Sequence, residues 1–210
     1  YQSMKHVTKA GFLQEPGKKT PVTTRFSTVQ GPRGSYDTAR DLRCKGVKFY
    51  TDEGNYDLTT IAMPVLINQD PMKFPDAMHA YQSKSDDDIP TATGAHDYFW
   101  DYVANNPEAL HMVEWIMSDR GIVRSYRMME SWSINTYLFV NEQGVATFVR
   151  FVWKPVLGVH SLTQDEALKL GGIDPDFHRR DLREAIANGA YPEYELGVQL
   201  IPLEDEFKYD

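Results

Sequence analysis

Residues 21–70 read PVTTRFSTVQGPRGSYDTARDLRCKGVKFYTDEGNYDLTTIAMPVLINQD, and this stretch decides the fold. Over 22–29, Arg25 and Ser27 fall on one side of an extended chain while Phe26 and Thr28 fall on the other, as a period of two requires. After the turn-rich segment 30–35, residues 46–51 alternate apolar Val47 and Phe49 with Lys48 and Tyr50. Residues 52–55 form a hairpin turn in which Gly54 is free to take positive φ. Residues 56–59 return the chain, and the apolar run 63–68 reads as a strand covered on both faces. Strands joined by short turns pair antiparallel.

Of the polar side chains in this stretch, Arg25, Arg40 and Ser27 are read as sitting inside the β-rich core. Arginine is rarely buried without an anionic partner. Two readings stand open on pattern alone: an ion-pair network with Asp37, Asp41 or Asp57, or a bound acidic ligand such as a propionate-bearing cofactor.

Working outward, 3–12 is a short helical candidate and 16–19 a turn. Residues 74–80 read as a helix with proline in its first turn, and 84–93 as a polar loop whose Asp86–Asp88 run belongs to solvent. Helices are expected over 96–103 and 107–117, the second with an apolar stripe at Leu110, Val113 and Met117. Strands are expected over 133–141 and 146–153, joined by a glycine-bearing hairpin turn. Thr163 to Glu166 forms a capping box for a helix ending at Gly171 and Gly172. Another helix runs from 174 to 189, and 194–201 is the last strand. The fold class is α+β: an antiparallel β-barrel, incomplete, with helical insertions at 74–120 and 163–189. The division is 1–20 as an N-terminal arm and 21–210 as the barrel core. His79, His96 and His111 show no ligand spacing, so no metal site is assigned to them.

The chain has 210 residues, is 41% hydrophobic and 25% charged, and carries a net charge of −8. An acidic chain gives no reason to expect nucleic acid. No apolar run approaches the ~20 residues that span a bilayer. A single cysteine, Cys44, excludes an internal disulfide framework and suits a reducing compartment; it reads as a small packed side chain at a strand start.

The runs TRFSTV, GPRGSYDTARDLR, KGVKFYTDEGNYDL, KFPD, AHDYFWDYV, MSDRGIVRSYRMME, WKPVLGVHSL, DPDFHRRDLREAI and ELGVQLIP together resemble the haem catalase family, in its large-subunit branch, over essentially the whole chain. The resemblance implies an eight-stranded catalase barrel, of which seven strands are counted here, the eighth being expected beyond Asp210. It implies haem b, hydrogen peroxide as substrate, a homotetramer and a cytoplasmic location (peroxisomal in a eukaryote). Nothing in the sequence assigns NADPH.

Residue by residue, Arg25 matches the arginine at the haem propionates. Ser27 matches the serine supporting the distal histidine, and Val29 an apolar haem-wall position. Phe74 matches the phenylalanine near the haem, and Asp41 the aspartate lining the peroxide channel. The family's VHARG-like distal-histidine motif and RLFSY-like axial-tyrosine motif fall outside residues 1–210. Where the family has GNN, this chain has Thr60, Ile61 and Ala62, so Ile61 stands at the distal-asparagine position. Leu66 and Ile67 replace paired phenylalanines, and Asn135 and Val152 replace histidines. These departures imply a haem oxidoreductase with a rewritten distal pocket, weak toward peroxide or turned to an organic substrate. The alternatives are an ordinary catalase and a haem-free structural or binding subunit.

Overall fold

The computed structural model describes residues 2–31, 34–82 and 97–208. The 84–93 loop, the Asp86–Asp88 run and His96 lie outside the described residues. Seven strands form one antiparallel sheet: β1 (Val22–Ser27), β2 (Cys44–Thr51), β3 (Gly54–Ile61), β4 (Ser131–Ser133), β5 (Tyr137–Val140), β6 (Ala146–Pro155) and β7 (Tyr194–Pro202). The order is β1-β2-β3-β4-β6-β5, with β7 also pairing β6. β2 and β3 form a hairpin whose closing pair is Thr51 and Gly54. Gly54 has φ of 122°, a conformation that glycine takes without a Cβ clash.

The register sorts the side chains into two faces. Phe26, Lys45 and Thr60 lie side by side, as do Val47 with Leu58 and Phe49 with Tyr56. That face curls inward. Val47, Phe49, Leu58, Phe139, Val149 and Phe151 form one core with Trp153, Leu196, Val198 and Leu200, so strands from both ends of the sheet share an interior. Met4, Val7, Phe12 and Leu13 also pack there. The sheet does not close: the described residues give seven strands with no pairing between β1 and β7, against the expected eight-stranded barrel.

The other face carries Arg25, Ser27, Cys44 and Ile61. Helices α1 (Phe74–Ala80), α2 (Asp97–Asn105) and α3 (Leu110–Met117) cover its Ile61 end, where Ile61, Met63, Ile67, Ala77, Phe99 and Ile116 form a second core. Helices α4 (Gln164–Ile173) and α5 (Phe177–Ala187) pack around residues 36–43. Thr38 Oγ1 donates to the Ala167 carbonyl at 2.7 Å. The Arg179 N–H donates to Asp37 at 3.0 Å.

Four expectations change. Residues 63–68 are not a strand. Met63 and Ile67 are buried against helices instead, and Pro64 within the run has no N–H to give a ladder; its carbonyl takes a hydrogen bond from Arg150 at 2.8 Å. The 133–141 strand is two strands, broken at 134–136. Residues 3–12 form turns followed by a single 3₁₀ turn at Gly11–Leu13, not a helix. The helix expected to stop at Gly171 and Gly172 runs on to Ile173. There Gly171 lets the helix lie against Tyr36, since a Cβ would meet that ring at 2.4 Å. The Thr163 and Glu166 capping box forms as expected.

Candidate functional site

β1 is built from β-branched and aromatic residues, which suit an extended pleated chain, and its alternation sends Arg25 and Ser27 to the outer face. Ser27 pairs with Cys44, Cys44 with Ile61, and Ile61 with Trp132. At ~4.8 Å between neighbouring strands, these four form a lateral row across the sheet. Arg25 shares this face, one pleat along from Ser27.

Arg25 is exposed, not buried in the β core. Among the described residues it has no hydrogen bond or ion pair. The three aspartates are engaged elsewhere: Asp57 pairs with Lys48 at 2.9 Å, Asp37 with Arg179 at 3.4 Å, and Asp41 with backbone. Arg25 lines an open cleft of about 590 Å³, with Thr24, Phe26, Tyr126, Arg179 and Arg183.

Arg40 does not share that setting. Its Nη1 donates to the Ile116 carbonyl at 2.8 Å and the Ser118 carbonyl at 2.6 Å, and its Nη2 to Gln164 at 3.0 Å. It ties α3 to the start of α4. The buried arginine of this region is Arg43, which sequence reasoning missed. It is wholly inaccessible and donates to four carbonyls: Asp41 at 3.2 Å, Gly121 at 2.7 Å, Asp37 at 2.8 Å and Ala39 at 2.7 Å. Burial lowers its pKa, opposed by the charges of Asp41 and Asp37. One signal was present: an arginine directly between an apolar residue and the start of a strand.

Asp41 is buried. Its oxygens accept from the Val29 and Gln30 N–H groups at 3.0–3.3 Å, fixing the chain as it leaves β1. Burial pushes its pKa up, while Arg43 and those N–H groups pull it down. Val29 is thus held against Asp41 and half-buried. Cys44 is half-buried. Burial, then the charge of Asp41, raises its thiol pKa, partly offset by a hydrogen bond with Ser27 and the charge of Arg25.

Ile61 is 3% exposed and sits in the apolar core under the helices. Phe74 is half exposed at the start of α1. Leu66 lines a separate cleft of about 550 Å³ with Pro64, Asp70, His111 and Arg150. The structure therefore brings Arg25, Ser27 and Ile61 onto one face and joins Val29 to Asp41. Phe74 and Leu66 lie on the helical side.

This face fits an acidic, mostly apolar group at its edge. A guanidinium without a carboxylate of its own is a ready partner for an external one, and the row beside it is small or apolar. No cluster of three or more histidine, cysteine, aspartate or glutamate side chains placed to hold a metal ion occurs among the described residues. No helix among them is long and apolar enough to cross a membrane.

The Catalase family profile matches residues 1–210. The chain belongs to the catalase family. It is 61% identical to Catalase-2 of Bacillus subtilis strain 168 and 61% identical to Catalase of Alkalihalophilus pseudofirmus, in both cases over the whole chain and 31% of the relative's length. It is 60% identical to Catalase HPII of Pseudomonas putida over the whole chain and 30% of that protein. The chain thus spans about a third of the length of the curated relatives it matches.

Proposed function

We propose that the full polypeptide carrying this chain is a haem catalase that decomposes hydrogen peroxide, and that residues 1–210 supply one wall of its haem pocket. The observation that carries this is Arg25, an unpaired cation on the outer face in line with Ser27, in a chain about 60% identical to catalases from end to end. Bound haem supplies the iron chemistry that splits the peroxide oxygen–oxygen bond.

The residues here bind and orient. Arg25 holds a haem carboxylate by charge-assisted hydrogen bonds. Ser27 offers a hydroxyl on the same face, able to fix a neighbouring proton-carrying group. Val29 is the apolar wall next to them, held in place by Asp41. Phe74 and Leu66 contribute exposed apolar surface from the helical side. The assembly expected is a homotetramer.

A second reading is favoured by Ile61. Its side chain is buried in an apolar cluster, so the position that carries an orienting amide in the family offers only hydrocarbon here. Losing one preorganised donor typically lowers turnover ~10²–10³-fold. On this reading the protein binds haem but turns peroxide over slowly, or acts on an organic substrate or hydroperoxide.

The test is oxygen evolution and Soret absorbance of the full polypeptide. A Soret band with rapid oxygen release supports the catalase reading. A Soret band with turnover roughly a hundredfold or more below ordinary catalases supports the second. Protein that takes up no haem overturns both and leaves the structural-subunit alternative.

A further inference from the structure

The interior of the curled sheet contains a lysine. Lys45 on β2 is 2% exposed; its carbonyl accepts from Thr60 Oγ1 at 2.8 Å, yet its ammonium makes no hydrogen bond and no ion pair among the described residues. Its ammonium lies among rings: 3.1 Å from the Tyr194 centroid, 4.3 Å from Trp153 and 5.8 Å from Phe26. Burial alone lowers its pKa to about 7, with no carboxylate nearby to raise it again. A buried cation without an anion is costly. Aromatic faces return only part of the lost hydration.

A second, independent observation points to the same place. The indole Nε1 of Trp153, on β6, is buried and has no acceptor. Buried polar groups in native proteins are almost always hydrogen-bonded. Two donors without acceptors, one of them charged, thus stand within one side chain's length of each other. Across the way, Tyr194, Leu196, Val198 and Leu200 line the inner face of β7 and are only half-buried. β1 and β7 do not pair, and the Phe26 and Tyr194 rings face each other across that gap at 6.4 Å.

We propose that the inner face of the sheet beside Lys45 and Trp153 is a carboxylate-binding site, in which one carboxylate accepts hydrogen bonds from both the Lys45 ammonium and the Trp153 indole N–H. The chemistry selects a carboxylate over a phosphate. A single positive charge balances a single negative one, two donors match two oxygens, and the surrounding rings leave a doubly charged oxyanion without further donors. The carboxylate comes from a free monocarboxylate or from an aspartate or glutamate elsewhere in the polypeptide.

The test uses the full polypeptide labelled with ¹⁵N-indole tryptophan, with the Trp153 signal assigned through Trp153→Phe and formate as the probe. If the carboxylate is free, dialysed protein shows a Trp153 N–H signal that formate moves saturably to the hydrogen-bonded range. Lys45→Met then weakens that response by about tenfold or more, the equivalent of about 1.4 kcal/mol. Lys45→Arg, which keeps the charge, retains it. If the carboxylate belongs to the polypeptide, the signal is already in the hydrogen-bonded range, ignores formate, and leaves that range in Lys45→Met but not in Lys45→Arg. A Trp153 signal outside that range with or without formate overturns the proposal. So does one that Lys45→Met leaves unchanged, which would mean that water alone satisfies the indole.

Discussion

Replacing Ile61 by asparagine separates the role of this position in the fold from its role in turnover. Ile61 is 3% exposed and packs among Met63, Ile67, Ala77 and Ile116. Removing that side chain forfeits ~1.5–3 kcal/mol of buried hydrocarbon, and burying an amide without partners adds ~1–3 kcal/mol on mutational scales. The variant should be less stable by roughly 2.5–6 kcal/mol and unfold at a clearly lower denaturant concentration. If the position faces reacting peroxide, the new amide donor should restore ~2.7–4 kcal/mol of transition-state stabilisation, a rate gain of ~10²–10³. The assay is oxygen evolution per haem in the full polypeptide, at a temperature where both proteins are folded. Ile61→Val is the control: it should cost ~0.5–1.5 kcal/mol and leave turnover unchanged. A loss of stability for Ile61→Asn with turnover within about threefold of the parent, less than the ~10²-fold floor for one donor, would refute the assignment of Ile61 to the peroxide-facing wall.

Arg43→Met should destabilise the chain by ~3–5 kcal/mol, because it strips the cation from a buried network and orphans four carbonyls; denaturant titration at constant m checks it. His178 is wholly buried, accepts the company of Arg43, and donates through Nε2 to the Val123 carbonyl at 2.9 Å. Burial first, then the Arg43 charge, lowers its pKa from 6.5 to about 4. The unfolded chain therefore binds the extra proton more readily between these values. The stability from neutral His178 is complete above pH 6.5 and falls by about 3 kcal/mol as pH drops through 4; His178→Phe should flatten that part of the pH profile. Gly171→Ala drives a Cβ into the Tyr36 ring and should cost ~1–3 kcal/mol. Gly172→Ala, with nothing within 4 Å, should instead gain ~0.5–1 kcal/mol from reduced backbone freedom in the helix. Thermal melts of the pair decide it.

Local rules carried much of the fold. The alternation in 22–29, the hairpin turn at 52–55 and the Thr163 capping box are each set by a few adjacent residues: the capping box forms as read, the strand forms but ends at Ser27, and the turn forms but tightens so that Gly54 already pairs with Thr51. The failures lie where a distant neighbour decides. Residues 63–68 look like a buried strand because they are apolar, but the helices that bury Met63 and Ile67 come from 74–117; only Pro64 hinted at the outcome. Arg25, Arg40 and Arg43 are indistinguishable as letters. The structure makes one an exposed unpaired cation, one a helix tether and one a buried clamp. That Arg25 and Ser27 share a face followed from period two, but period two does not say which face, and the reading that put them inside the β core is reversed: the interior takes Val47, Phe49 and Leu58 instead. That Ile61 joins their row depended on the β1-β2-β3 register, which no single strand encodes. Lys45 drew no notice because a lysine in a strand ordinarily faces water.

The row through Ser27 also places the chain's one sulfhydryl, Cys44, on the face assigned to oxidant chemistry. Oxidants attack a thiolate, and the first product is a sulfenic acid. Burial and the nearby Asp41 charge raise its pKa, which disfavours the reactive thiolate. On the proposed peroxide chemistry, a sulfur held as thiol on that face is slow to oxidise, which lengthens the working life of the protein.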